Sequence, residues 1–324
     1  RENGVIFFNK KNTKTLYGYK YFNSSEQRLQ QAWFTWEVQG NIQHHAVLDD
    51  ALFVVVRGDA NRDVLLKYPL RKDDDENDIL DRRATFSDDT DDITYRIHLD
   101  NSAKVDYTSL TYDATNDWTT FPLQEGFHNS SSQLAAYVIP KDGQTNYDQF
   151  QGFAVNATTF VEGGGTYVKL PGNWKTFDPQ YRSDGSLSDD ITPANTIVLG
   201  YQFDMEVEFP TIYYSQVEGE SYRSLLNGSL IIHRIKLNFG ANGLYSTILD
   251  RVGKPSYTEL WEPTIADQYK ANRVQINEQS TRTIPAYEKN KNLTLTLKST
   301  HPTPATLYSM TWEGVYTNQN YKRV

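Results

Sequence analysis

The sequence predicts a mainly β protein: the final blades of a β-propeller followed by a β-rich, sandwich-like platform. Three observations carry that prediction. Four strand-like segments rich in aromatic and β-branched residues follow one another over residues 32–70 with very short joints. Helical periodicity is scarce. Short apolar runs then recur to the end of the chain between clusters of Gly, Asn, Asp and Ser.

The four segments are AWFTWEV (32–38), NIQHHAVLD (41–49), ALFVVVRG (51–58) and DVLLKYPL (63–70). Gly40, the pair Asp49-Asp50, and Gly58-Asp59-Ala60-Asn61 join them. Four up-and-down strands in about 40 residues fit one propeller blade. A lone four-stranded sheet leaves an apolar face in water, so further blades are expected on its N-terminal side. GVIFF (4–8) and TLYGYKYF (15–22) read as an outer hairpin of the preceding blade, and the chain opens on Arg1 rather than Met. The sequence thus reads as the C-terminal piece of a larger protein. Residues 1–78 are the propeller part, with its last blade at 32–70, and residues 79–324 are the platform.

Composition bounds the function. The 324 residues carry a formal net charge of −9, with 38% hydrophobic residues and no cysteine, but 22 tyrosines. A binder of nucleic acid in general is basic, because neutralised phosphates drive its affinity; this chain is not. Without cysteine there is no disulfide frame, thiolate zinc site or thiol nucleophile. No run of apolar residues approaches the length that spans a membrane. Abundant aromatics suit half-buried sheets and subunit contacts.

After the tetrad comes an acidic run, RKDDDENDILDRR (71–83), which reads as an exposed, solvated linker. SDDTDD (87–92) follows; it lacks the Gly and distal Glu of an EF-hand loop. Strands are expected at 94–100, 105–113, 134–140, 150–160, 166–171, 196–210, 229–239, 244–252, 281–287 and 293–299. In SLIIHRIKLNF, simple alternation sets Leu230, Ile232, Arg234 and Lys236 against Ile231, His233, Ile235 and Leu237. SSEQRLQQAW (24–33) and SYRSLLNG (221–228) carry the only helix-turn signals.

No catalytic constellation stands out. The six histidines form neither HxH nor HExxH, and His44 and His45 project to opposite faces of a strand. The glycine triplet 163–165 precedes a strand rather than a helix, so it is a loop and not a phosphate cradle. Glu206 with Glu208, or Asp49 with Asp50, could be the carboxylate pair of a glycosidase, with Trp118 and Trp174 stacking on sugar rings. Such pairs arise by chance among 41 acids. The Asn-X-Ser/Thr matches at Asn23, Asn129, Asn156, Asn227 and Asn292 are likewise expected in a chain rich in Asn and Thr. No motif calls for a cofactor or a metal.

The ordered set of motifs resembles a known family. YFNSSEQRLQQAWFTWEVQGNIQHHAVLDDALFVVVRGD (21–59) is similar to the propeller segment of tail tubular protein B, the nozzle protein of short-tailed podophages of the Autographiviridae type. The resemblance rests there on Trp33 and Trp36, a Gly turn, and Asp49-Asp50 before the LFVVV strand. LDRRATF (80–86), GSLIIHRIKLNFGANGLYSTIL (228–249) and STHPTPATLYSMTWEGVYTNQNYKRV (299–324), with Trp312, Glu313 and Gly314, continue it. Residues 105–195 match less clearly.

The resemblance implies a structural virion protein of the phage tail, assembled in the bacterial cytoplasm and with no catalytic step. It implies a hexamer below the adaptor ring (tail tubular protein A) that helps hold the tail fibres. Genomic double-stranded DNA leaves through its lumen without sequence-specific binding. Six copies at −9 each carry roughly −54, and an acidic wall repels phosphate. The acidic runs Asp73, Asp74, Asp75, Glu76 and Asp88, Asp89, Asp91, Asp92 are the candidates for facing the lumen. Two other classes stay open: a virion-associated β protein that degrades or binds polysaccharide, and a receptor-binding β adhesin.

Overall fold

The structure, a computed structural model, describes residues 3–10, 13–24, 27–48, 51–57, 63–70, 84–87, 92–95, 97–124, 127, 134–142, 146–147, 151–178, 192–218, 221–226, 228–262 and 273–318. These are almost entirely antiparallel strands in small sheets. The chain divides into two compact units. One comprises Arg1–Arg82, Ser109–Leu134 and Ala157–Gly172; the other comprises Arg83–Thr108, Ala135–Asn156 and Asn173–Val324. The expected boundary after residue 78 lies outside the described residues.

In the first unit β1 (Asn3–Asn9), β2 (Thr15–Ser24) and β3 (Gln27–Glu37) form one three-stranded sheet. A second consists of β4 (Asn41–Leu48), β5 (Ala51–Arg57) and β6 (Asp63–Pro69). The four segments of 32–70 are therefore strands, but they do not make one four-stranded sheet. The 32–37 segment is the end of β3 and pairs along β2, with Trp33 opposite Tyr19 and Trp36 opposite Leu16. The physical reason lies in the joint at 38–40. It has a glycine but no Asn-Gly or Asp-Gly hairpin signal, and it carries the chain from one layer to the other. Val38 and Ile42 donate backbone hydrogen bonds to the carbonyls of Lys14 and Thr13, 2.9 Å each. A Cβ on buried Gly40 would lie 2.8 Å from the carbonyl oxygen of Arg57.

The inner faces of the two sheets make a core of Leu16, Val38, Ile42, Leu52, Val54 and Val56, joined by Phe7, Val64, Leu66 and Tyr68. The predicted GVIFF/TLYGYKYF hairpin exists as β1 and β2, in register from Asn3 with Phe22 to Asn9 with Leu16. The helix-turn signal at 24–33 is overridden, because residues 27–33 are strand along β2. The unit also holds a sheet ordered Thr111–Asp113, Trp118–Pro122, Gly165–Pro171, Thr158–Glu162. Its last two strands meet in a hairpin at Gly163 and Gly164, where φ is +57° and +84°, so the glycine triplet is a turn.

The second unit contains a two-layer sandwich. Its three-stranded layer places Ser229–Asn242 between Ser280–Lys289 and Ala305–Thr317. The four-stranded layer is ordered Met205–Glu208, Leu293–Ser299, Tyr245–Arg251, Tyr257–Trp261. Between them lies one core, including Leu230, Ile232, Ile235, Leu237, Phe239, Ile284, Leu249 and Leu297. Another sheet is ordered Arg273–Gln275, Gln151–Asn156, Leu134–Asp142, Asn195–Tyr201, Asp100–Lys104.

Several expected strands are divided or shortened. The run 150–160 breaks at Ala157 and its halves join different sheets. The run 196–210 breaks at 202–204. At 105–113 only Thr111–Asp113 is extended, because the Asp106 carboxylate accepts from the N–H and hydroxyl of Thr108 (2.9 and 2.7 Å) and turns the chain. The 221–228 helix signal is also overridden: Ser221–Ser224 pairs with Ser215–Glu218.

Candidate functional site

Two places gather the residues singled out in the sequence. The first is the central strand Ser229–Asn242 in the sandwich. Plain alternation would put Ile232 and Arg234 on one face. Instead the register slips between Ile232 and Arg234, where two residues of this strand oppose one of the C-terminal strand. This β-bulge reverses the parity. Leu230 and Ile232 before it, and Ile235, Leu237 and Phe239 after it, all reach the same core. The simple reading of this strand is thereby corrected, since a shift of one residue flips every later side chain.

Trp312, Glu313 and Gly314 face this bulge, each with its own part. Trp312 pairs with Ile235 and packs with Met310 on the core. Glu313 lies on the wet face, where Oε2 meets Arg234 Nε at 2.6 Å and Oε1 meets Lys236 Nζ at 2.7 Å. The hydrogen bond from Lys236 holds the Glu313 carboxyl below the usual carboxylate range. Gly314 is where the backbones crowd: a Cβ there would be 2.3 Å from the carbonyl oxygen of Ile231. These residues sit inside one continuous strand, Ala305–Thr317. On the other flank the register also slips, and Tyr287 adopts φ +47° with its ring stacked on His233 at 5.7 Å.

The second place is the β1–β3 sheet. Trp33 and Trp36 face opposite sides. Trp36 points inward among Phe7 (5.4 Å), Phe34 (5.3 Å) and Tyr68 (6.0 Å) of the other sheet. Trp33 points outward and is 68% exposed. Around it lies a continuous aromatic layer: Trp33 on Tyr19 (4.6 Å), Phe8 on Trp33 (5.8 Å) and Phe8 stacked on Tyr17 (5.4 Å). The Tyr19 hydroxyl donates to the Gln31 side-chain oxygen at 2.6 Å. Sequence reading found the tryptophans but missed this layer. Its signal was the period-two spacing of Tyr17, Tyr19 and Tyr21.

The remaining candidates fall as follows. Asp49, Asp50, Asp73, Asp74, Asp75, Glu76, Asp88, Asp89 and Asp91 lie outside the described residues. Asp92 begins the strand Asp92–Tyr95, opposite Ser87. Glu206 pairs with Lys298 at 3.3 Å on a sheet whose Glu208 is exposed. Lys169 sits over the Trp118 ring at 3.9 Å, and Trp174 packs on Phe153 at 5.7 Å, so both candidate sugar platforms have protein partners. His45 approaches the Phe7 carbonyl at 3.3 Å while His44 is exposed. Among the described residues no group of His, Cys, Asp and Glu could hold a metal ion, and no helix is long and apolar enough to cross a membrane.

Two partly buried ionisable groups carried no sequence signal. Burial raises the Asp100 carboxyl to about 6. Burial lowers the His301 imidazole to about 4, with Nδ1 3.2 Å from the Thr303 hydroxyl.

The described geometry is thus that of packed sheets, ion-paired wet faces and one exposed aromatic layer. A search of curated proteins returned no match to the chain. The family model described as bacteriophage nozzle protein matches residues 1–323. The chain belongs to the bacteriophage nozzle protein family and is a structural component of the phage tail.

Proposed function

We propose that six copies of this chain form a ring in the tail, with the genome leaving through the lumen. The observation that carries this reading is the family match over residues 1–323. On the resemblance, the ring sits below the adaptor ring, tail tubular protein A, and helps hold the tail fibres after assembly in the host cytoplasm. Residues 1–78 are the end of a β-propeller and residues 79–324 the platform. The stacking of two small sheets around the Leu16–Val56 core supports a propeller, since blades pack face to face.

The mechanism is geometry and electrostatics. Each Lys or Arg aimed at passing phosphates would add a salt-sensitive contact, and the ring would repeat it six times. A net charge of −9 per copy favours release. Asp73–Glu76 and Asp88–Asp92 are the candidates for the wall. The test is copy counting in purified virions by quantitative mass spectrometry, with native mass of the released tail. Six copies per tail are expected. Absence from the tail, or a copy number that six does not divide, contradicts the reading.

A further inference from the structure

The sandwich of the second unit is one strand short. Its layers hold three and four strands. The Arg282 guanidinium pairs with the Glu259 carboxylate and covers the Trp261 ring at 4.8 Å. Lys254, in the turn before Tyr257–Trp261, meets Glu288 at 2.8 Å. These contacts set the edge Ser280–Lys289 opposite the edge Tyr257–Trp261. Counted from that side, Met205–Glu208 at the far end of the larger layer has no strand across from it. Val207 shows the gap. It pairs with Leu297 of the core and so points between the layers, yet it is 42% exposed.

The missing strand belongs beside Ala305–Thr317. This strand runs for 13 residues along Ser229–Asn242, and among the described residues no strand pairs with its other edge. Roughly half of its backbone N–H and C=O groups point to that open side. Its sequence, ATLYSMTWEGVYT, has no proline and no cation. Its one charge, Glu313, is bound to Arg234 and Lys236. The opposite edge of the same layer is blunted by Pro285 and by Tyr287 at φ +47°, which hinder strand addition.

We propose that a neighbouring copy fills this place with its hairpin Ser215–Glu218/Ser221–Ser224, adding it beside Ala305–Thr317 and over Val207. The inference rests on the ring reading above and names a contact between adjacent copies. Three observations select the occupant. The first is shape. A second copy cannot add its own Ala305–Thr317 there, because its overhanging Met205–Glu208 would collide with the first copy's sandwich. The occupant is therefore a single layer, and the contact is heterologous, the kind that builds a ring. Second, the hairpin is such a layer. It pairs within itself from Ser215 with Ser224 to Glu218 with Ser221 and, among the described residues, with no other strand. A lone two-stranded ribbon is marginal in water and gains from a third strand. Third, the hairpin does not serve its own chain. The Leu225 N–H donates to the Tyr214 carbonyl at 2.9 Å, and the Tyr214 ring stacks on Tyr316 at 4.7 Å. The hairpin is thus rooted at one end of the open edge without pairing along it. Each copy then carries one open edge and one unpaired hairpin, and exchange between neighbours satisfies both through backbone hydrogen bonds.

The length of the hairpin says what kind of contact it is. Each of its strands has 4 residues against 13 in the receiving edge. Such a contact is a latch within a larger ring interface, well below the roughly 800 Å² that each partner gives to a stable standard one.

The test uses tails assembled from a mixture of heavy-isotope and ordinary chains carrying Val207→p-benzoylphenylalanine. After irradiation, mass spectrometry should find position 207 joined to residues 215–224, with links between heavy and ordinary chains. Links within single chains only, links to another protein, or none at all would overturn the proposal. Where that variant does not assemble, Val207→Cys replaces it, as the single thiol of a chain without cysteine. A maleimide should label it roughly tenfold more slowly in tails than in unassembled chain; equal rates would overturn the contact. Wild-type tails give a readout free of substitution. Amides of 305–317 should exchange roughly tenfold more slowly there than in unassembled chain, and unchanged exchange would leave the edge open. The native mass of the tail separates the two claims. Six copies with position 207 unlinked defeats the contact and leaves the ring. A link from 207 to 215–224 of another copy, in an assembly of another number, defeats the six-fold ring and leaves the contact.

Discussion

Gly314 lies so close to Ile231 across the sheet that a Cβ at 314 would sit 2.3 Å from the Ile231 carbonyl oxygen. The obstacle is backbone at a bulge, so no side-chain rotation relieves it. The bulge in turn keeps both halves of the central strand on one core. Gly314→Ala should therefore destabilise the protein by roughly 2–4 kcal/mol, above the range of ordinary surface changes. Urea unfolding followed by tryptophan fluorescence measures it. A loss within about 0.5 kcal/mol would mean that the strands separate freely at this point.

Gly18 and Phe34 form a second tight pair. They are cross-strand partners, and a Cβ at 18 would lie 2.1 Å from the Phe34 ring. Here the obstacle is a side chain, but it is wedged beside Phe7 at 5.9 Å and Trp36 at 5.3 Å. Gly18→Ala should cost about 1–3 kcal/mol by overpacking. Gly18→Ala/Phe34→Leu should recover part of that loss. Additive losses in the double variant would show that the two positions do not compete for space.

The partly buried ionisable groups predict opposite pH responses. Burial raises the folded Asp100 carboxyl from its ordinary 3.8 to about 6. Its contribution is unfavourable above about 6 and vanishes below the unfolded value, so stability falls as pH rises between them. Burial lowers the His301 imidazole from its ordinary 6.5 to about 4. Its penalty is absent above 6.5 and grows as pH falls towards 4. Each shift is worth roughly 3 kcal/mol. Asp100→Asn should stabilise the protein by up to about 3 kcal/mol at pH 7 and negligibly at pH 3.5. Chemical unfolding of both proteins across that range checks it. An equal gain at both pH values would show that the asparagine acts by packing alone.

If the acidic runs face a DNA channel, charge reversal there should slow release. Asp73→Lys/Asp74→Lys/Asp75→Lys in assembled virions should lengthen ejection time, and added salt should restore part of the rate by screening. Ejection kinetics in a fluorescence assay report it. Unchanged kinetics would place this run on an outer, solvated surface.

Much of this architecture was legible in the sequence, and what escaped has definite causes. Period-two patterns gave β1, β2, the end of β3, β4 through β6 and several sandwich strands, but not Tyr257–Trp261, because burial on one face writes itself into alternate residues. The assignment of β3 to a different sheet from β4 was hidden, since a short Gly-containing joint looks alike whether it reverses the chain in plane or carries it to another layer. The parity switch at His233 was hidden for a similar reason: alternation assumes no bulge. Trp312, Glu313 and Gly314 were visible only as a motif. Their separate parts emerged from the ion pairs to Arg234 and Lys236 and from the crowding at Ile231. Asp100 and His301 are single residues in ordinary contexts, and only folding takes them partly out of water.

The most direct test of the account is a reconstruction of the whole tail by electron cryomicroscopy without imposed symmetry. Six copies of this chain are expected around a central channel. A tail in which this chain occupies no ring around the channel, or a ring of another order, would contradict it.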